Sequence, residues 1–452
     1  MVMVAEVLPG LKRCLRSLGL RSSVQAMVVR MVAAFILHSG RMSCLQAAGS
    51  IRSESRHRAQ VSRMLSRPSF RRLNLNTVLR RELLEQEASQ GRFLFILDAT
   101  LCSQQGQKTE NTYSAGNRQR RPQKGRRYGK KKRARKSCHS FTMGLLITPS
   151  GIRIPFSIPY RTREYCQKKG LKHRTTAEAG ADLIRQLPLP EEAEVIVLGD
   201  TAYEAKVVRE ACQDRGYAWI FPCNPERVLA GAKPRPRVRS LFKDWSSLSP
   251  QTIRLFPGQG KHVAYRRLSP PRIGPKAKPR TYYVHEERRE VHSVGPVRLV
   301  FSTTQANLKT ATADDVKTLM TNLTLSLREV VELYTLRWQI ELFFKELKST
   351  LGFGQYQFRK FESVESWCEL ALTTFLYLES YRASQLRRRG LSDKEKCWWK
   401  HQRTHGLCQA VRLASQQSEL VYLADRIKTP RGITKLKRLF RDTLTPEYRA
   451  KL

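Results

Sequence analysis

The sequence predicts an α/β core, interrupted by a β-rich insertion and flanked by helical N- and C-terminal regions. Three observations predict it. Phe93-Leu-Phe-Ile-Leu-Asp98 and Glu194-Val-Ile-Val-Leu-Gly-Asp200 are short and rich in branched or aromatic residues, as strands buried on both faces are. Amphipathic helical patterns over about 176–187 and 205–212 alternate with them. A tract rich in Pro and Gly and ending in alternating strand-like runs then separates these elements from the next helix.

Residues 1–88 have helical character and no strand-like run. Ser43-Cys-Leu-Gln-Ala-Ala-Gly-Ser50 and Glu54-Ser-Arg-His-Arg-Ala-Gln-Val-Ser-Arg-Met-Leu65 read as two helices joined at a Gly-containing turn. Cations along the second suit DNA binding, and they equally suit a helical pair with a basic solvent face. Residues 89–222 form the first part of the core. After the Asp98 strand, Phe141-Thr-Met-Gly-Leu-Leu-Ile-Thr and Ile152-Arg-Ile-Pro-Phe-Ser-Ile join through Pro149-Ser-Gly151 as a hairpin. The helix over 176–187, the Asp200 strand, the helix over 205–212 and a short strand over 217–221 follow. Residues 223–301 are the insertion, with Lys233-Pro-Arg-Pro-Arg and Ser269-Pro-Pro-Arg-Ile-Gly-Pro early, and the strand-like Thr281-Tyr-Tyr-Val and Val297-Arg-Leu-Val-Phe-Ser late. Residues 302–360 return to the core with one helix over about 327–351, which Ser326-Leu-Arg-Glu329 starts as a capping box and Gly352 stops. Residues 361–452 read as helices, notably 364–386, with a basic tail.

Each core strand delivers an aspartate, Asp98 or Asp200, to its carboxyl end, where ligands sit in open α/β sheets. On neighbouring strands the two could share a divalent cation, although either alone could merely cap the next turn. Glu341 lies in Tyr334-Thr-Leu-Arg337-Trp-Gln-Ile-Glu341-Leu-Phe-Phe-Lys345-Glu-Leu-Lys348. The spacing puts Tyr334, Arg337, Glu341 and Lys348 on one side of a single helix. An acid flanked by a tyrosine hydroxyl and two cations is a phosphodiester clamp in outline: Glu341 binds metal while Arg337 and Lys348 hold phosphate oxygens. A solvated salt-bridge face is the alternative, and Glu346, the nearest other acid downstream, points away from that side.

Tyr-x2-Arg-x3-Glu-x6-Lys resembles the Y-R-E-K signature of DDE transposases of insertion-sequence family four, and Asp98 and Asp200 match the first two acids of their triad. The resemblance covers roughly 90–222 and 300–360. It implies an RNase H-like catalytic core, and the element order is compatible with one. It implies a transposase that hydrolyses a phosphodiester at a transposon end and uses the freed 3′-hydroxyl to attack target DNA, in a cut-and-paste reaction. It further implies two Mg2+ ions clamped by Asp98, Asp200 and Glu341, for which Mn2+ can substitute. Double-stranded DNA is the implied partner, held by a homodimer. In such enzymes an aromatic residue of the β insertion receives an unstacked base during hairpin closure, and Trp245, the Trp inside the insertion proper, either takes that role or packs in a small β core, leaving Tyr265, Tyr282 or Tyr283 as candidates. Two readings stay open beside it: an RNase H-like nuclease without strand transfer, and a domesticated DNA-binding protein on the same fold.

Charge points to nucleic acid as well. Lys and Arg number 83 against 38 Asp and Glu, giving +45. Twelve of the twenty residues from Asn117 to Lys136 are basic, among them Arg126, Arg127, Lys130, Lys131, Lys132 and Arg133. Such a run repels itself, and its expected role is an arm that orders on phosphate and releases counterions. At 452 residues and 40% hydrophobic content the chain can build several cores. The longest apolar stretch, 26–37, is broken by Arg30 and is too short for a bilayer, and no leader peptide is legible. A cytoplasmic, chromosome-associated protein is expected, with its ten cysteines reduced and mostly buried. Cys397, His401, His405 and Cys408 fall on one helical face, but a single helix cannot surround a zinc ion, so packed histidines and a buried thiol are expected there.

Overall fold

Alternation of side chains along strands decides how this chain layers. In the computed structural model, which describes residues 15, 21–38, 58–67, 75–87, 91–104, 108–114, 137–231, 235–243, 245–255, 279–307, 311–413, 428–430 and 433–434, β1 spans Arg92–Gln104 and β5 spans Glu194–Leu198. Leu94, Ile96, Ile196 and Leu198 face one hydrophobic cluster, whereas Phe93, Phe95, Leu97, Val195 and Val197 face another. The sheet is therefore covered on both faces, which is why its strands read as continuous apolar runs.

The sheet has ten strands. β3 (Ser137–Ile147) and β4 (Arg153–Pro159) form the expected hairpin, turning at Gly151 with φ +79°. β3 pairs antiparallel with β1, β1 pairs parallel with β5, and β5 pairs parallel with β6 (Ala218–Pro222). The core order is thus β4-β3-β1-β5-β6, with β2 (Tyr113–Ser114) beside the start of β3. Of the helices, α1 (Ser22–Leu37), α2 (Arg58–Leu65) and α3 (Leu75–Glu85) precede β1, and α4 (Arg163–Lys169) and α5 (Thr176–Arg185) follow β4. α5 starts at a capping box in which Thr175 accepts from the Glu178 N–H, and α6 (Lys206–Asp214) connects β5 to β6. The N-terminal unit is helical where it is described. Segment 43–50 and the basic arm 117–136 lie outside the described residues.

The insertion contains the expected strands, and they extend the core sheet. β7 (Gln251–Leu255), β8 (Arg280–Val291) and β9 (Gly295–Thr303) pair in series, and β9 pairs with β10 (Lys317–Thr321), which pairs with β6. The sequence reading had not identified β10. Trp245, proposed from sequence to receive a base, is instead enclosed at 2% exposure among core side chains, because the chain after β6 folds its apolar residues onto that face. Its ring is not presented to solvent.

The single helix expected over 327–351 is two: α7 (Leu327–Thr335) and α8 (Trp338–Ser349). The expected capping box starts α7, with Ser326 accepting from the Glu329 N–H. The break contains neither Gly nor Pro. It is a tightened turn in which the N–H groups of Leu336, Arg337, Gln339 and Ile340 each donate three residues back. Gly352, at φ +65°, follows the end of α8, where the Phe353 N–H donates to Leu347 O.

A buried ionic cluster anchors α8. Arg153 of β4 donates through Nη1 and Nη2 to Glu346 Oε1 and Oε2 at 3.1 and 3.0 Å, and through Nη2 to Glu379 Oε1 at 3.1 Å. Glu379 lies on α9 (Phe361–Leu386) and also accepts from Arg382 at 3.2 Å. All four residues are at most 5% exposed. Burial pushes the Glu346 carboxyl up, but Arg153 overcomes it and holds the group below its usual value. The Thr404 N–H also donates to Glu346, at 3.2 Å, so the helical segment 404–413 is tied to the same point. α9 in turn packs against α1, α2, α3 and β4. No helix of the described residues is long and apolar enough to cross a membrane.

Arg153→Leu would leave two carboxylates buried without their main partner. The expected cost is about 3–5 kcal/mol, read as a lower urea midpoint at unchanged slope.

Candidate active site

The register of β1 and β5 brings the two aspartates level. Ile96 pairs with Leu198, and each strand reaches its aspartate two residues later. Asp98 has the parity of Leu94 and Ile96, and Asp200 that of Ile196 and Leu198, so both belong to the face that α7, α8 and α9 cover. One expectation is corrected here. Asp98 does not end its strand: β1 continues to Gln104, because β3 keeps pairing with it as far as Ser137. Asp98 Oδ1 accepts from the Ala99 N–H at 2.7 Å. Asp200 follows the end of β5 and caps a 3-10 turn, accepting from the Ala202 N–H at 2.9 Å. Capping and membership of the acidic cluster are therefore compatible in one residue.

Glu341 arrives in the first turn of α8. Arg337, at the α7–α8 junction, spans the acids: Nη2 donates to Glu341 Oε1 at 2.7 Å and Nη1 to Asp98 Oδ2 at 3.4 Å. Tyr334 also interacts with Arg337, and burial pushes its hydroxyl up to about 12 against the pull of that cation. Tyr334, Arg337 and Glu341 therefore converge, across two helices rather than along one. Lys348 donates from Nζ to the Leu101 carbonyl at 2.8 Å, tying the later part of α8 to β1 beyond Asp98. Glu346 belongs to the buried cluster on the other side of α8, as its spacing from Glu341 predicts.

The electrostatics are those of acids crowded together. Burial, then the charges of Asp200 and Glu341, push the Asp98 carboxyl up to about 6, against the Ala99 N–H and Arg337. As the side chains stand, no three His, Cys, Asp or Glu residues among the described ones close around an ion. Between Asp98 and Glu341 lies the Arg337 guanidinium. The donor set itself, three carboxylates of which Asp98 is raised first by burial and then by the other two, fits a hard divalent cation with oxygen ligands.

Trp338, which the sequence analysis did not single out, is an exposed aromatic residue beside Arg337. It is 55% exposed, directly follows Arg337 and shares a helix side with Glu341 three residues on. Its adjacency to Arg337 was the available signal. The Cys397–Cys408 segment is not one helical face. α10 (Asp393–His401) ends at Gln402 and helix resumes at 404, Cys408 is buried, and Cys397 and His405 are exposed, so the expected histidine packing fails at His405. Among the described residues seven cysteines are buried and Cys397 is exposed, and none of the eight is in a disulfide.

Asp98 and Asp200 thus stand level on a parallel strand pair, and Glu341 stands on a helix that covers the same face of this α/β sheet. The chain belongs to the transposase DDE domain family, whose family model matches residues 89–377, well over half of it. A search of curated proteins finds no match. Transposases of this family act on DNA, and their DDE domains generally use divalent metal ions.

Asp98→Asn tests the crowding. The folded carboxyl sits near 6 and the ordinary value is 3.8, so the folded state releases its proton later than the unfolded chain and loses stability as pH rises through that window. The amide removes this loss. The variant is expected to be more stable by about 2–3 kcal/mol at pH 8 and to show no gain near pH 4, read by denaturant unfolding at both values.

Proposed function

We propose that the chain is a cut-and-paste DNA transposase of insertion-sequence family four, with Asp98, Asp200 and Glu341 as its catalytic, metal-holding triad on an RNase H-like core. The observation that carries the reading is the β1–β5 register, which sets Asp98 beside Asp200 on the face that also receives Glu341. The β4-β3-β1-β5-β6 order, antiparallel then parallel, supports the RNase H-like assignment. Tyr334, Arg337, Glu341 and Lys348 support the family-four assignment.

The three carboxylates would hold two Mg2+ ions, with Mn2+ as a substitute. Bound there, the metal supplies Lewis-acid stabilisation of the leaving oxygen and makes water, and later the 3′-hydroxyl, a better nucleophile. The chain's own part is positional. Asp98 is fixed by β1, Asp200 by its capped turn and Glu341 by the anchored α8, so the acids meet DNA pre-arranged. Arg337 and Lys348 are the cations able to engage phosphate oxygens beside the scissile bond. Trp338, as the exposed ring here, takes over the base-stacking role first considered for Trp245. Arg126, Arg127, Lys130, Lys131, Lys132 and Arg133, outside the described residues, would add affinity for double-stranded DNA. The helical ends would support a homodimer at the chromosome.

Asp98→Ala, Asp200→Ala and Glu341→Ala are each expected to abolish Mg2+-dependent cleavage of transposon-end DNA while leaving binding of that DNA largely intact. Substantial cleavage by any folded member of the set sinks the assignment. Joining of cut ends to a target in the parent protein separates a transposase from a plain nuclease.

Trp338→Ala is expected to nick the first strand normally and to lower hairpin yield about tenfold, the scale of one base–aromatic stacking contact. A gel-based cleavage assay reads both steps, and a normal hairpin yield would return the stacking role to another ring.

A further inference from the structure

Two of the oxygens that a divalent cation would use are already engaged. Arg337 ion-pairs with Asp98 Oδ2 and Glu341 Oε1, one guanidinium spanning acids from β1 and α8. Both pairs are partly buried, with the Arg337 side chain 20% exposed, so solvent screens them less than surface pairs. Lys348 is different: its ammonium bonds to the Leu101 carbonyl. Arg337 also sits at the tightened turn between α7 and α8, and a mid-helix 3-10 turn of this kind often marks a hinge.

From this geometry we infer that Arg337 is a competitor of the metal, which it admits when a phosphate draws the guanidinium away. This rests on the triad reading given above. A cation that takes Asp98 and Glu341 as ligands must displace Arg337 from the same oxygens. A DNA phosphate, planar-matched to guanidinium, offers Arg337 another bidentate partner. The phosphate then frees the carboxylates, and by linkage a bound cation raises affinity for the phosphate by the same factor. Metal loading thereby follows DNA: the protein away from its substrate keeps Asp98 and Glu341 paired with its own arginine. The proposal assigns Arg337 two positions. It is a positioning residue for the triad before substrate arrives and a phosphate ligand afterwards.

The test uses Mn2+ alone, titrated into the full-length protein without DNA and followed by calorimetry, with unfolding curves confirming that each variant is folded. Arg337→Gln is expected to bind Mn2+ about five- to tenfold more tightly than the parent, the usual range of a coupling between two sites. Lys348→Gln removes a neighbouring cation that pairs with none of the acids, and is expected to change affinity less than about twofold because its effect is only a screened field. Arg337→Lys keeps the charge but cannot span both oxygens as a planar fork does, and is expected between parent and Arg337→Gln; it carries the test if the glutamine variant fails to fold. Asp98→Asn reports on the site itself and is expected to lose the Mn2+ binding. Arg337→Gln and Arg337→Lys that bind no more tightly than the parent would overturn the inference, as would a Lys348→Gln gain equal to that of Arg337→Gln. If Asp98→Asn leaves Mn2+ binding unchanged, the triad reading falls and the inference with it.

Discussion

The position of Glu341 depends on a salt bridge it does not make. Glu346 lies five residues further along α8, about 140° around the helix axis, and Arg153 clamps it with both guanidinium nitrogens in the protein interior. Fixing Glu346 inward fixes the side from which Glu341 emerges, and because Arg153 stands on β4 the reference frame is the sheet that carries Asp98. Glu379 and Arg382 extend the clamp to α9, and the Thr404 N–H brings in the C-terminal helical segment. A helix bounded by a tightened turn and held only by apolar packing could rotate or slide. A bidentate pair with a second shared carboxylate sets its rotation and height together, since any displacement would leave a charge buried without a partner.

Much of the site was legible because its chemistry is local. The two aspartates follow apolar runs whose composition marks buried strands, and the spacing of Tyr334, Arg337, Glu341 and Lys348 needs only helical geometry to bring them near each other. What the sequence withheld depends on pairing. β1 runs past Asp98 because β3 continues to supply hydrogen bonds, and nothing in Ala99-Thr-Leu-Cys-Ser-Gln104 announces that extension. β10 is a short segment beginning Lys-Thr, strand-like only once β6 and β9 flank it. The α7–α8 break contains no helix breaker and shows only in the tightened turn between the two helices. Trp245 is enclosed and Trp338 exposed, a difference that composition does not reveal for a single aromatic residue. The capping box at Ser326 was the most faithful local signal, since both partners lie within four residues.

Two ionic clusters in this chain meet opposite requirements. Inside, two guanidinia face two carboxylates and every charge has a direct partner, which favours one fixed arrangement. At the site one guanidinium serves two carboxylates, Asp98 and Glu341, and burial first, then the charges of Asp200 and Glu341, make Asp98 hold its proton to a higher pH. That imbalance is a cost in the free protein, of the kind found where function rather than stability sets the residues.

The imbalance also limits what the overall charge can accomplish. A net charge of +45 draws DNA to the surface, yet the triad would repel a phosphate brought close to it. Two like unit charges 4 Å apart oppose each other by about 1 kcal/mol in water and about 4 kcal/mol at the effective dielectric of a protein surface. Several such pairs would exclude a scissile phosphate however basic the rest of the molecule is. Long-range attraction therefore cannot substitute for cations placed among the acids themselves. Arg337, Lys348 and a divalent metal would meet that need at the distance where it matters, which gives a physical reason for arginine and lysine to sit four and seven residues from Glu341 on the elements that carry it.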